Sequence, residues 1–186
     1  MSRISRNAIV QAITKVRTMD AKQKEGLADE VFRAQPHLFG SFLVQTRLGV
    51  SLEKMEFLLD ILLLSFQATK ESGLAWPLIT EDDLDYQSQR FVAIAKFDED
   101  LSKSLRNQSM RQYVENYPEK ELLAYMQVEM TNWLKRIVSE ESDKYVMLAA
   151  WNIVNCIAFV PMTTPHSAPK APRSEPLQQL GGIRND

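Results

Sequence analysis

Residues 51–72 read SLEKMEFLLDILLLSFQATKES. With each residue placed 100° after the last, Leu52, Met55, Leu58, Leu59, Leu62, Leu63 and Phe66 share one broad face. Phe57, Ile61, Leu64 and Ala68 widen the apolar arc past half the circumference. Glu53, Glu56, Asp60, Gln67 and Glu71 fall in a narrow polar strip. A helix that is apolar nearly all round is a core helix. Ser51 suits the N-cap, Glu53 suits the positive end of the dipole, and Gly73 suits the C-terminal cap. The uninterrupted apolar run covers only residues 61–64, too short for a membrane span of about 20 residues.

The segments before it are amphipathic. Ile4, Ala8, Ile9, Ala12, Ile13, Val16 and Met19 recur at helical spacing over residues 4–19. Asp20 and Gln23 form a capping-box pattern before a second helix over 21–35. Pro36 suits the first position of a third helix, which Gly49 ends. After 73–79, an apolar connection containing Trp76-Pro77, Thr80 caps a fifth helix. Leu84, Phe91, Ile94, Leu101 and Leu105 mark its buried side, and Asp98-Glu99-Asp100 is a candidate break. A weaker helix covers 109–116. Pro118 opens a helix to about 138, with Leu122, Met126, Met130, Trp133 and Ile137 on one stripe. The last helix, 143–159, is the second strongly apolar one. Its Asn152 and Asn155 interrupt the apolar surface. The pattern leaves open whether 80–106 and 118–159 are single or broken helices.

Residues 161–186 hold five of the eight prolines. Their composition predicts a disordered tail. The expectation is therefore an all-α, single-domain bundle of about seven helices over 1–160, with a Pro-rich tail over 161–186. The 186 residues, 45% hydrophobic and 25% charged, suit one globular domain. A net charge of −2 gives no global pull toward nucleic acid or membrane. One cysteine, Cys156, excludes an intramolecular disulfide. With no signal-peptide pattern at the N-terminus, a cytoplasmic protein is expected.

No motif carries chemistry. Two histidines, His37 and His166, and one cysteine stand at no zinc-ligand spacing. Cys156 lies among Ile153, Val154, Ile157 and Phe159, the setting of an unreactive buried thiol. There is no Gly-rich phosphate loop and no nucleophile elbow. No catalytic, cofactor-binding or metal-ligating residue is assigned, and no cofactor is implied.

Charge is unevenly spread. Residues 1–24 carry six basic side chains against Asp20, and residues 80–100 carry seven acids against Arg90 and Lys96. The two segments are candidates to meet each other or a partner. The leading expectation is a non-enzymatic protein acting through protein–protein contacts, with a protein partner or a second copy of the chain. Candidate contacts are Trp76, Arg3, Arg6 and Arg17. The first alternative is a nucleic-acid-associated regulator using the basic first helix. A likeness to TetR-type repressors fails, because the turn after that helix lacks a Gly-aromatic stretch. The second alternative is a small-molecule binder or carboxylate-site enzyme, with Asn152 and Asn155 lining a pocket.

Overall fold

The computed structural model describes residues 2–99 and 102–161. Eight helices stand among them: α1 (Arg6–Thr18), α2 (Ala21–Ala34), α3 (Pro36–Arg47), α4 (Leu52–Glu71), α5 (Glu81–Glu99), α6 (Lys103–Asn116), α7 (Lys120–Leu134) and α8 (Asp143–Phe159). The all-α reading holds, with one helix more than about seven. Ser102 starts α6 as a separate unit, its hydroxyl accepting from the amide of Leu105. Beyond Pro161, the expected tail lies outside the described residues, as do His166 and Leu101.

Local signals position most helix ends. The Ser51 hydroxyl accepts from Lys54 N–H at the start of α4. Asp20 and Gln23 make both arms of the capping box on α2. At α5 the Thr80 hydroxyl accepts from Asp83 N–H, while Asp83 accepts from Thr80 N–H. Gly73 follows α4 with φ +66°, the left-handed conformation that favours glycine.

α4 runs through the middle. It lies along α1 and packs against α8, α7, α2 and α3. Every residue from 61 to 69 is buried, including Gln67, which the helical wheel places in the polar strip. At the other end Leu52, expected on the buried face, is 78% exposed. It is the first residue of its helix and projects past its neighbours. Leu105, also expected on a buried side, is exposed near the start of α6.

Two buried ion pairs tie the ends of the bundle together. The first was invisible in the hydrophobic pattern. Lys54, on α4, is buried, and its ammonium reaches Asp143 in the first turn of α8 and Glu140 at 2.8 Å. Asp143 also accepts from Glu140 N–H at 2.8 Å. Hydrogen bonds to Asp143 and then Glu140 hold the Lys54 pKa above its ordinary value. Burial pushes the Asp143 carboxyl upward, but the hydrogen bonds from Lys54 and Glu140 outweigh it and the net direction is down. A depressed acid contributes stability above its unfolded pKa of 3.8 and loses it as pH falls through the folded value. A raised lysine contributes below 10.5 and loses it as pH rises through the folded value. The stability gap between the native chain and Asp143→Asn is therefore expected to be flat from about pH 5 to about pH 9, shrinking in acid. Urea titrations across that range check this; a gap that widens below pH 3.8 contradicts the pairing.

The second pair closes the N-terminus onto α7 and α8. Glu119, fully buried, accepts from Arg3 Nε at 2.6 Å and from Ile4 N–H at 3.0 Å. The same guanidinium donates through Nη2 to the carbonyls of Ile157 and Ala158 at 2.9 and 3.0 Å. One arginine thus satisfies orphan carbonyls at the end of α8 and a buried carboxylate at the start of α7. This geometry corrects the helix boundary: α7 begins at Lys120, with Pro118 and Glu119 in a turn rather than inside the helix.

Candidate functional site

α5, the C-terminal half of α6 and the end of α8 border an open cleft of about 550 Å³. Arg90, Ile94, Tyr113, Tyr117 and Phe159 form its walls, with Ser109, Gln112 and Asn116 contributing polar groups. α6 reaches the body of the protein through Tyr113 and Val114, which pack against the core. Tyr113 meets Tyr117 edge-on at 5.5 Å and Trp151 at 6.5 Å. Phe91 stacks on Trp151 at 4.8 Å, locking α5 to α8.

Asn155, a candidate pocket residue, lies behind this wall. Its Oδ1 accepts from the Tyr117 hydroxyl at 2.8 Å and from the Tyr113 hydroxyl at 3.4 Å. Burial raises the pKa of both phenols, with Arg90 opposing, so both remain donors. Asn152 turns elsewhere: its amide donates to Leu84 O at 3.2 Å, while its buried Oδ1 finds no partner. One asparagine thus supports the cleft and the other joins α8 to α5.

Arg90 gives the cleft its sign. Its guanidinium lies 3.7 Å from the centroid of the Phe159 ring, a cation–π contact. Its Nη1 donates to Gln87 Oε1 at 3.3 Å. Among the described residues no carboxylate pairs with it. It is also the one charged side chain in the described cleft wall.

No family model, curated protein or solved structure matches this chain. Its chemistry must be read from its own residues.

A second cleft, of about 370 Å³, answers where the polar strip of α4 faces. Glu53, Glu56 and Asp60 line it with Glu129, together with Arg17, Lys24, Lys54 and Arg136. Its floor is the stacked pair Phe57 and Trp133, 4.9 Å apart. Burial, and then Glu56, raise the Asp60 carboxyl pKa, while Lys24 and Arg17 oppose them. Arg17 reaches Glu129 at 3.6 Å, and Lys54 is committed to Asp143 and Glu140. With Lys54 spent on Asp143 and Glu140, four acids share this cleft with three remaining bases, so it holds most of its own counter-charge. The strip lines this cleft and Asn155 backs the other, so the two do not meet.

The other candidates are placed as follows. Arg3 and Lys15 pair within the fold, with Glu119 and Glu71, both at 2.6 Å. Among the described residues, none of the carboxylates paired with the basic segment falls in 80–100. Arg6 is exposed at the start of α1. Trp76 is half-buried against Phe66 at 5.9 Å, with its buried indole N–H unpartnered. Gln35 pins that connection by donating to Pro77 O at 2.6 Å and accepting from Ile79 N–H at 2.9 Å. His37 meets Glu81 at 3.3 Å. Among the described residues no group of three His, Cys, Asp or Glu side chains is placed to hold a metal ion, and no helix is long and apolar enough to cross a membrane.

Cys156 is fully buried, and burial, helped by Asp83, pushes its thiol up to about 12. Native protein at pH 8 is expected to react with a thiol reagent only as fast as it unfolds, and urea-unfolded protein at once. Equal rates in the two states contradict this burial.

Arg90, Tyr113 and Tyr117 were not among the residues the sequence singled out. The available signal was local: Tyr113 and Tyr117 stand four apart, with Asn116 beside them. Nothing local tied them to Arg90 or Phe159, which approach only when α5 and α8 pack.

Proposed function

We propose that this chain is a non-enzymatic helical binding protein and that the cleft between α5, α6 and α8 is its binding site. One observation carries the reading: a half-buried arginine, without an acidic partner among the described residues, stands in the wall of a concavity of ligand size. Sites for small ligands span about 300–1,000 Å³, are largely apolar and hold a few converging polar groups. An uncompensated charge in such a wall is costly unless water or a ligand answers it. The protein-contact reading draws on exposed apolar side chains such as Phe32, Leu43, Leu52 and Val138. These lie on different elements, and single exposed apolar residues are ordinary. The nucleic-acid reading is weakened because Arg3, Lys15 and Arg17 already serve carboxylates of the fold. A cytoplasmic location accords with the single, buried thiol.

A fragment screen by methyl NMR on the full chain tests the site. Hits are expected to perturb Ile94 and Ala93 and to be lost in Ser109→Trp, which fills the cleft. Hits that gather instead at Ile61, Leu64 and Ile137 would move the site to the second cleft. Hits at neither place would end the proposal.

A further inference from the structure

We infer that the cleft takes a small organic monocarboxylate, its carboxylate on Arg90 and its apolar body against Ile94 and Phe159. This deepens the binding reading and rests on it.

The charge count selects a monoanion. Arg90 is the one charged side chain in the described wall. A phosphate monoester, with close to two negative charges, would leave charge uncompensated there. The guanidinium itself selects a planar anion. Its central carbon sits 3.7 Å from the Phe159 ring centroid, and its N–H groups lie in one plane as a fork. One Nη1 hydrogen is engaged by Gln87, which leaves most of the fork available. A carboxylate matches that fork with two parallel hydrogen bonds. Phe159 restrains the fork, so less side-chain freedom is lost when the anion arrives.

The neighbours suit this division. Tyr113 gives Asn155 only a long hydrogen bond of 3.4 Å, since Tyr117 already occupies that oxygen at 2.8 Å. The Tyr113 hydroxyl can therefore turn toward a bound carboxylate at little cost. Gln112 and Asn116 stand one residue before Tyr113 and one before Tyr117 in the same wall; the Asn116 amide already donates to Gln112 O at 2.9 Å, and its second N–H remains. Among the described residues no carboxylate lines this cleft to repel an anion. The second cleft, with four acids in its wall, lacks that property.

Three probes of one shape decide the matter: 2-naphthoate, the neutral 2-naphthalenemethanol and the cationic 2-naphthylmethylammonium. Each is titrated into the full-length protein and followed by NMR at Ile94 and Tyr113. Naphthoate is expected to bind about tenfold or more tightly than the alcohol, and the ammonium most weakly. In Arg90→Gln the naphthoate advantage falls to within about twofold while the alcohol binds as before. If that variant does not fold, the comparison of probes on the native chain still decides. Equal binding of naphthoate and alcohol by the native chain overturns the carboxylate assignment and leaves the binding site standing. A naphthoate preference that persists in Arg90→Gln overturns the role of Arg90. If none of the three probes perturbs the cleft, the inference and the binding site fall together.

Discussion

Replacing Glu119 by Ala is expected to destabilise the protein by about 2–4 kcal/mol, measured by urea unfolding. The carboxylate is fully buried, so its loss cannot be compensated by water on the spot. Ile4 N–H loses its acceptor inside the fold, which alone costs about 1–3 kcal/mol. Arg3 keeps its bonds to Ile157 and Ala158 but loses its counter-charge. That part is discounted, because the Arg3 side chain is 32% exposed and can be partly solvated. Glu119→Gln keeps one acceptor and is expected to cost about half as much. In a double-mutant cycle with Arg3→Met the two losses should fail to add by at least about 1 kcal/mol. A cost for Glu119→Ala below about 1 kcal/mol, or strict additivity, would show that the pair is not formed in solution.

The same cluster bears on the cleft. Glu119 follows Tyr117 by two residues, and the carbonyls held by Arg3 immediately precede Phe159. Tyr117 and Phe159, both cleft residues, meet edge-on at 5.3 Å. Opening the N-terminal clamp releases both sides of that contact. Weaker naphthoate binding by Glu119→Ala is therefore expected, through a residue that does not line the cleft.

The sequence made the helices legible because their signals are local. Ser51, the Asp20–Gln23 box, Pro36, Thr80 and Gly73 act on backbone groups within a few residues of themselves, and each does in the structure what its chemistry predicts. The apolar stripes were legible for the same reason: Leu122, Met126, Met130 and Trp133 all lie buried on one face. Polar interior groups were harder. Lys54 was not singled out in the sequence, and its burial depends on residues 86 and 89 positions away. Glu119 was not singled out either, and Arg3 was read only as part of a basic segment. The sequence contains both charges, but not their meeting across 116 residues. The cleft is illegible for a related reason. Its cation, its phenols and its aromatic platform lie on three helices, and no periodicity within one of them indicates the others. Asn155 was found because an amide on an apolar helix needs a partner; that partner, a pair of tyrosines, could not be inferred.

The largest single loss is expected at Leu62→Ala, about 3–5 kcal/mol by urea unfolding. Leu62 is fully buried in the middle of α4, where α1 and α8 both pack against that helix. Truncation removes three carbons from a closely packed site and leaves a cavity that rigid neighbouring helices cannot close. Against a net stability of about 5–15 kcal/mol for a typical domain, that is a large fraction. Leu52→Ala is the internal control. The helical wheel puts Leu52 and Leu62 on the same face, so sequence periodicity alone predicts comparable losses. The structure leaves Leu52 78% exposed, and its truncation should change stability by no more than about 0.5 kcal/mol. Periodicity reports direction around the helix axis, whereas burial also depends on how far the neighbours extend along it. Equal losses at the two positions would mean that another element or a second chain covers the start of α4 in solution. A small loss at Leu62 would mean that α4 is not the central helix. A large loss at Leu62 with almost none at Leu52 is the result that matches this packing.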